Sequence, residues 1–184
     1  MISRSSLLCL AFLFPLLSIA RSQTQVKTLP TAAYAVEFDV VCPGTPELVY
    51  DRLTGDITGW WDHSFSQKPL KLYIEPRPGG GFYEIFNDKG DGVRHATVLY
   101  AERGKMLRFE GPLGLSGRAV QVVTTYRLSP LEPDSTKLTL AVHMQGEVDE
   151  KLADRVNTVW HHFLLERFKP YMEQVVRATH GNSQ

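Results

Sequence analysis

The stretch DEKLADRVNTVWHHFLLERFKPYMEQVVRAT, residues 149–179, decides the fold. Its apolar residues recur with a period of 3.6, and at about 100° per residue they cluster on one face of a helical wheel. The residues of this stripe are Val156, Trp160, Phe163, Leu164, Tyr171 and Val175. The stretch therefore predicts one long amphipathic helix that must bury a wide apolar face.

Residues 70–146, which precede the helix, predict the surface that covers this face. Polar and apolar residues alternate there with a period of two, and turn-forming residues interrupt the alternation at short intervals. Six strands are predicted, over residues 70–76, 82–86, 93–101, 106–110, 118–128 and 136–146. No connection between them is long enough for a helix, which indicates an antiparallel meander. A sheet that buries one long helix must curl around it.

The beginning of the domain predicts one more strand and two short helices. Residues 34–42 alternate in the same way and form the first strand. Thr45 can cap a short helix, and Asp56 can cap a second one that ends at the Trp60-Trp61 pair. The complete prediction is an α+β fold in which a curved antiparallel sheet of about seven strands surrounds a long C-terminal helix.

Residues 1–22 predict a secretory signal peptide. Arg4 is followed by the apolar run Leu7–Leu17, which is shorter than the roughly 20 residues that a membrane span needs. Small residues at Ala20 and Ser22 favour cleavage after Ser22, with cleavage after Ala20 as the alternative. We therefore expect an exported protein, periplasmic or secreted, with no membrane span after cleavage.

Composition and charge disfavour some classes of binding partner and some kinds of site. Residues 23–33 are a polar lead-in, and residues 34–180 form one domain. The whole chain has 20 basic and 20 acidic residues, so no basic surplus favours nucleic acid as a partner. Its two cysteines, Cys9 and Cys42, are too few and too far apart for a disulfide framework or a CxxC-type zinc site.

Together these elements resemble the helix-grip fold of the START/Bet v 1-like superfamily (SRPBCC). The local sequence is similar to the branch related to the C-terminal domain of the Hsp90-ATPase activator and to polyketide-cyclase-like proteins. The similar segments are FDVVCPGTPELVYDRLT (38–54), the tryptophan pair (60–61), EPRPGGGFYE (75–84), VLYAERGKMLRFEG (98–111) and the C-terminal helix, within residues 34–177. The resemblance implies a cavity between sheet and helix for apolar or amphipathic small molecules. It implies no universal catalytic residues, and since its members include carriers, receptors and some enzymes, the fold leaves the function open.

Glu84 is a candidate for a buried charge. Alternation around the glycine-rich turn places Phe82, Glu84 and Phe86 on one face of a strand, toward the cavity. An unpaired carboxylate is costly there, and on the helical wheel Arg167 lies about 20° from Trp160, inside the apolar stripe. Glu84 and Arg167 can pair across the cavity, or Arg167 can hold the anionic head group of a ligand. Alternatively, Glu84 lies on a solvated sheet rim and Arg167 extends to solvent.

Aromatic residues at the predicted cavity mouth are candidates for a lid. Trp60 and Trp61 end the second short helix and Phe65 follows in a loop, although core packing explains one of the two tryptophans equally well. Thr124 and Tyr126 are candidates for polar atoms in the cavity. The predicted ligand-binding residues are Trp60, Trp61, Phe65, Phe82, Glu84, Phe86, Phe109, Tyr126, Trp160, Phe163, Leu164 and Arg167.

Six histidines raise the question of a metal site. His161 and His162 are adjacent in the helix and point about 100° apart, and no HxxxH or HExxH motif occurs. His63, His95 and His143 lie on separate elements, and spacing alone does not reveal a cluster that forms only on folding. The sequence pattern therefore predicts no metal site and no cofactor.

The interpretation that these observations favour is an exported, non-enzymatic protein that binds a small hydrophobic or amphipathic molecule. A cyclase-, dehydratase- or isomerase-type enzyme is the first alternative, with Glu84, His95 and Tyr126 as candidates for acid-base chemistry. A protein-interaction module is the second, which export disfavours because the chaperone that the activator serves is cytosolic. An interaction module is expected to have a filled core, whereas a carrier is expected to have a cavity of about 300 Å³ or more.

Overall fold

In the computed structural model, which describes residues 26–131 and 133–181, an antiparallel sheet of eight strands curves around a long C-terminal helix. The strands are β1 (Ala32–Pro43), β2 (Gly55–Asp56), β3 (Lys71–Ile74), β4 (Gly81–Ile85), β5 (Gly92–Glu102), β6 (Met106–Glu110), β7 (Val120–Leu131) and β8 (Ser135–Gly146). Their order is β1-β8-β7-β6-β5-β4-β3-β2, a meander whose last strand pairs with β1. The α+β helix-grip prediction is confirmed, and the strand beyond the predicted seven is the two-residue edge strand β2.

The two short helices predicted after the first strand differ in length. Helix α1 (Pro46–Leu53) begins after Thr45, whose side chain accepts a hydrogen bond from an N–H of the first turn. The second is a single turn, in which the N–H of Trp61 donates to the carbonyl of Ile57 at 2.9 Å and no helix follows. Gly59 lies inside this turn and is a poor helix former, so the turn is not extended.

The long helix is continuous but changes its winding in the middle. It consists of α2 (Glu150–His161), a π-helical segment (His162–Phe168) and α3 (Lys169–Gly181). In the π-helical segment the N–H of Lys169 donates to the carbonyl of Leu164, five residues back. Pro170 follows directly, and a proline ring in an α-helix clashes with the carbonyl four residues back. The wider turn before Pro170 removes that clash without breaking the helix.

The core lies between the concave face of the sheet and the long helix. Burial alternates along β6, so that every second side chain points inward, as the period of two predicts; in β7 it alternates except at Thr125, which is buried between Thr124 and Tyr126. Strand β1 begins at Ala32, two residues before the predicted start of the domain, and the predicted signal peptide lies outside the described residues. Among the helices of residues 26–131 and 133–181, none is long and apolar enough to cross a membrane. Fully buried side chains of the core include Trp60, Phe82, Leu107, Phe109, Tyr126, Leu138, Leu140 and Phe168.

Candidate functional site

A pocket of about 440 Å³ lies between α2 and the sheet. Its walls come from the loop 61–65, from β5 and β7, from the segment 112–115 that contains a single 3₁₀ turn, and from α2 with the start of the π-helical segment. The volume is in the range of ordinary small-molecule sites, and most of the wall is apolar. The lining residues are Trp61, His63, Ser64, Phe65, His95, Pro112, Leu113, Gly114, Leu115, Val122, Leu152, Arg155, Val156, Val159, Trp160 and Phe163.

The carboxylate of Glu84, in the sheet, is hydrogen-bonded to the loop that covers this pocket. This carboxylate is fully buried and accepts hydrogen bonds from the backbone N–H of Phe65 at 2.9 Å and of Ser66 at 2.8 Å. The Nε2 of His95 lies 3.1 Å from Glu84 Oε2. The ring of Phe65 in turn stacks on the ring of His95, with 5.5 Å between their centroids. Sheet and loop are therefore joined through one buried carboxylate.

The protonation of Glu84 follows from these contacts. Burial raises the pKa of its carboxyl group, because a charge is poorly solvated inside the protein. The hydrogen bonds from Ser66, Phe65 and His95 act in the opposite direction, since they stabilise the charged form, and together they hold the pKa below its ordinary value. Glu84 is therefore a carboxylate at neutral pH, and this negative charge in the interior is fully hydrogen-bonded.

His95 reaches the pocket because strand β5 carries an extra residue. In the pairing of β4 with β5, Phe82 lies opposite Ala96 and Tyr83 lies opposite Arg94, which leaves His95 without a partner. This β-bulge turns both His95 and Ala96 inward, so that two consecutive residues are buried. Simple alternation along the strand predicts the opposite face for one of them.

Some of the predicted ligand-binding residues line the pocket. They are Trp61, Phe65, Trp160 and Phe163, together with His95 from the candidates for acid-base chemistry. Trp61 stacks on Phe163 with 3.9 Å between ring centroids, and its Nε1 donates to the carbonyl of His63 at 2.7 Å. Of the two tryptophans in the pair, Trp61 is therefore the one at the pocket. Trp60 is in the core, where its Nε1 donates to the carbonyl of Arg52 at 2.9 Å.

Other predicted ligand-binding residues are not part of the pocket wall. The inward orientation of Phe82 and Glu84 is as predicted, but the loop 61–65 and His95 cover both residues from the pocket. Tyr126 is fully buried one layer deeper, and its hydroxyl has no hydrogen-bond partner within the described part of the chain. Phe86 follows the end of β4 and is only partly buried. The predicted residues outside the wall are Trp60, Phe82, Glu84, Phe86, Phe109, Tyr126, Leu164 and Arg167.

Arg167 does not pair with Glu84. Its side chain is 44% exposed and its Nε lies 3.1 Å from Oδ2 of Asp62. The wheel that put Arg167 near Trp160 assumed an α-helix throughout, whereas a π-helical turn advances less than 100° per residue. The residues after His162 are therefore rotated less far around the helix axis than predicted, and Arg167 points away from the apolar stripe. Pro170 is the feature of the sequence that could have indicated this change of winding.

A different arginine lies at the pocket wall. Arg155 of α2 lines the pocket, is exposed, and forms no ion pair or hydrogen bond with the described residues. The sequence pattern does not indicate it, because its position on the helical wheel lies outside the apolar stripe. The segment 112–115 was also missed, since it reads as a glycine-containing turn between two strands.

Asp62, His63 and His162 meet at the mouth of the pocket. The Nδ1 of His63 lies 2.9 Å from Asp62 Oδ1, and the Nε2 of His162 lies 2.9 Å from Asp62 Oδ2. The other ring nitrogen of His162 lies 2.8 Å from Oε2 of Glu166. The hydrogen bonds with Glu166 and Asp62 raise the pKa of His162. Spacing along the chain did not reveal this cluster, because Asp62 and His162 are separated by 100 residues.

Comparison with known proteins decides the family. The family model described as Activator of Hsp90 ATPase homolog 1-like protein matches residues 43–173, which is most of the chain. The chain belongs to this family. The predicted branch of the SRPBCC superfamily is thereby confirmed. No curated protein matches the sequence.

Solved structures with the same fold align over nearly the whole domain. A protein of unknown function from Staphylococcus aureus aligns with a TM-score of 0.56 and 14% identity, over 82% of this chain and 98% of its own. A protein from Nitrosomonas europaea aligns with a TM-score of 0.57 and 17% identity, over 78% and 96%. One from Rhodobacter sphaeroides aligns with a TM-score of 0.54 and 20% identity, over 82% and 99%. These similarities establish the fold, and fold and family together suggest a ligand-binding domain.

Proposed function

We propose that the protein is exported and binds a small amphipathic molecule, with an apolar body and an anionic head group, in the pocket beside α2. The observation that carries this proposal is an apolar pocket of about 440 Å³ whose wall contains Arg155, an arginine with no ion-pair partner among the described residues. A module that acts only by binding other proteins has no need for such a pocket in its domain.

The apolar part of the ligand is inferred from the aromatic and aliphatic side chains of the wall. Trp61, Trp160 and Phe163 form one mutually packed cluster, with ring centroids 3.9 to 5.9 Å apart. Val156 and Val159 of α2 continue this surface along the helix. Transfer of apolar ligand surface from water to such a wall contributes about 25 cal/mol for each Å² that is buried.

The anionic part is inferred from Arg155. A guanidinium group can form two parallel hydrogen bonds with a carboxylate, sulfonate or phosphate, and Arg155 has no such partner within the described residues. Glu84 does not compete for Arg155, because its carboxylate is fully buried and already accepts hydrogen bonds from three donors. Arg155 thus takes the role that the sequence pattern suggested for Arg167.

Two fluorescent probes with a common scaffold test both parts. Anilinonaphthalene sulfonate carries an anionic group, whereas phenylnaphthylamine is neutral and otherwise similar. We expect the protein to bind both. Val156→Trp, which fills the pocket, should abolish binding of both probes, and Arg155→Gln should weaken only the anionic one, by roughly tenfold or 1.4 kcal/mol.

The matched controls are Val41→Trp on the outer face of β1 and Arg127→Gln on the outer face of β7, both exposed positions. Neither should change the affinity for either probe. If Val156→Trp leaves both affinities unchanged, the probes bind elsewhere and the pocket proposal is wrong. Equal weakening of both probes by Arg155→Gln would contradict the anionic head group. If Arg155→Gln instead weakens only the anionic probe, native mass spectrometry of protein from its own host should reveal a co-purifying acid.

Export is proposed from residues 1–22, whose apolar run and small residues fit a signal peptide. Intact mass measurement on the protein recovered from the cytosolic, periplasmic and secreted fractions of its own host tests this directly. We expect the mature chain to begin at Gln23, or at Arg21 if cleavage follows Ala20. A chain that retains residues 1–22 and stays in the cytosol would contradict export without affecting the pocket.

A second candidate function is acid-base catalysis on the bound molecule, of the cyclase, dehydratase or isomerase type. The observation that favours it is the imidazole of His95 in the pocket wall, bonded to the buried carboxylate of Glu84. In that pair the carboxylate orients the ring, and the ring transfers the proton. Once a natural ligand is known, His95→Gln should abolish its turnover and leave its affinity within about threefold. If no conversion is detected with the unaltered protein, binding alone is the function.

A further inference from the structure

We propose that Asp62, His63 and His162 form a zinc site at the mouth of the pocket. Their potential ligand atoms all lie within 4.8 Å of one another. Two imidazoles approach one carboxylate, with His63 Nδ1 at 2.9 Å and His162 Nε2 at 2.9 Å from its oxygens. Two histidines and one carboxylate are a recognised ligand set for zinc, with metal-to-ligand distances of about 2.0 to 2.2 Å. Zinc binding would require the three side chains to rotate from the hydrogen-bonded arrangement to those distances.

The second shell of the site is already present. The Nδ1 of His162 lies 2.8 Å from Glu166, so that this carboxylate accepts the N–H and directs Nε2 toward Asp62. Histidines that bind a metal usually donate their other N–H to a carboxylate, which fixes the tautomer and makes the ring a better ligand. The side chain of His162 is only partly buried, with 30% of its surface exposed, so it does not need a carboxylate on each nitrogen to be solvated.

The backbone around the ligands is also held in place. The carbonyl of His63 accepts a hydrogen bond from Trp61 Nε1 at 2.7 Å. The ring of His63 packs edge-on against Phe163 at a centroid distance of 4.8 Å. On the other side, the π-helical winding presents both His162 and Arg167 to Asp62. Loop and helix are thus positioned before a metal arrives, which lowers the entropy lost on binding.

Three protein ligands leave one position of a tetrahedral zinc ion for water or another molecule. His63 also lines the pocket, so the metal would sit where a pocket ligand enters. The zinc site itself does not depend on the proposed function, because zinc binding can be measured without any pocket ligand. If the probe experiments fail, the zinc proposal is unaffected. If zinc does not bind, the proposed ligand binding in the pocket is unaffected.

Arg167 provides a sharp test because it competes with the metal for Asp62. Its Nε lies 3.1 Å from Asp62 Oδ2, and loss of its charge leaves His162 as the one remaining side-chain partner of that oxygen among the described residues. Arg167→Gln should therefore tighten zinc binding several-fold. Asp62→Asn, His63→Gln and His162→Gln should each weaken it at least tenfold. Glu166→Gln should weaken it less than the loss of a ligand does.

The experiment is isothermal titration of zinc into the full chain without a polyhistidine tag. His143→Gln is the matched control, since His143 is an exposed histidine on β8 outside the cluster, and it should bind zinc like the unaltered protein. Unfolding midpoints verify that each variant is folded. Absence of 1:1 zinc binding, or binding that His63→Gln and His162→Gln leave unchanged, would overturn the proposal.

A measurement on the unaltered protein avoids any question of misfolded variants. In nitrogen-15 NMR spectra of the histidine side chains, zinc should shift the ring nitrogens of His63 and His162 and leave those of His95 and His143 in place. Cobalt should give the visible absorption bands of a four-coordinate site. Shifts at His95 or His143 alone would place the metal elsewhere and contradict the proposed site.

Discussion

The backbone N–H of Phe65 donates a hydrogen bond to the carboxylate of Glu84, with 2.9 Å between Phe65 N and Glu84 Oε2. The two residues are 19 positions apart, one in the loop over the pocket and one in the sheet beneath it. A charged acceptor makes a stronger hydrogen bond than a neutral one, by roughly a factor of two. The loop over the pocket is therefore attached to the sheet at a definite point.

Replacement of this carboxylate should destabilise the protein. Glu84→Gln keeps the shape of the side chain but retains only one acceptor oxygen for three donors. Because one donor then faces an amide NH₂ group in the interior, we expect a loss of about 2 kcal/mol in the free energy of unfolding at pH 7. Urea denaturation measures it. Glu37→Gln, at an exposed position of β1, should change stability by less than about 0.5 kcal/mol.

The stability of the unaltered protein and the stability of Glu84→Gln should depend differently on pH. Since the pKa of Glu84 is lower in the folded than in the unfolded protein, its stabilising effect is present above the unfolded pKa, about 4.3, and disappears as the pH falls through the folded pKa. The difference in stability between the unaltered protein and Glu84→Gln should therefore shrink from pH 7 toward pH 3. A difference that stays constant over this range would contradict the assignment of a charged Glu84.

Phe65 should affect ligand exchange more than stability. Its side chain is 54% exposed, so Phe65→Ala should change the free energy of unfolding by less than about 1 kcal/mol. The ring nevertheless covers His95 and part of the pocket, and its loss should speed up dissociation of phenylnaphthylamine several-fold in stopped-flow fluorescence. Leu131→Ala, at a similarly exposed position of β7, is the control. Equal dissociation rates for both variants would rule out a lid role for Phe65.

The buried hydroxyl of Tyr126 should contribute nothing to stability. It has no hydrogen-bond partner in the described part of the chain, and burial raises the pKa of the phenol. Removal of an unsatisfied buried polar group is neutral or favourable, so Tyr126→Phe should leave stability unchanged or raise it by about 1 kcal/mol. Thermal or urea unfolding measures this change. A loss above about 1 kcal/mol would mean that the hydroxyl has a partner after all.

Cys42 should be inert in the folded protein. Its side chain is fully buried, and burial raises the pKa of the thiol to about 12, because the thiolate is poorly solvated there. In a Cys9→Ser chain at pH 8, an aromatic disulfide reagent should react with one thiol only after urea is added. Reaction of the native protein at the rate of a free thiol would contradict the burial of Cys42.

Local periodicity predicted most of the fold and part of the pocket. The alternation along β4 correctly placed Phe82 and Glu84 inward, and the period of 3.6 correctly placed Trp160 and Phe163 on the buried side of the long helix. Both patterns depend only on neighbouring residues and on regular geometry. They are reliable wherever the strand or helix is regular.

The remaining features of the site arise where that geometry is irregular. His95 turns inward at a β-bulge, and Arg167 turns outward after a π-helical turn, so in both cases a regular period gives the wrong face. The cluster of Asp62 with His162 depends on a contact between residues 100 positions apart, which no spacing rule covers. The hydrogen bonds of Glu84 likewise join residues that are distant in sequence. The loop residues Phe65 and Ser66, which donate to it, were not expected to reach it.

Because of the bulge at His95, the number of residues in strand β5 decides whether an imidazole lies in the pocket wall. Deletion of one residue from β5 at this point would restore regular pairing with β4 and take the imidazole out of the wall. Glu84 would lose its bonded ring, and the wall would become wholly apolar there without any change in residue type. Relatives that differ by one residue in this strand would thus share a fold and still accept different ligands.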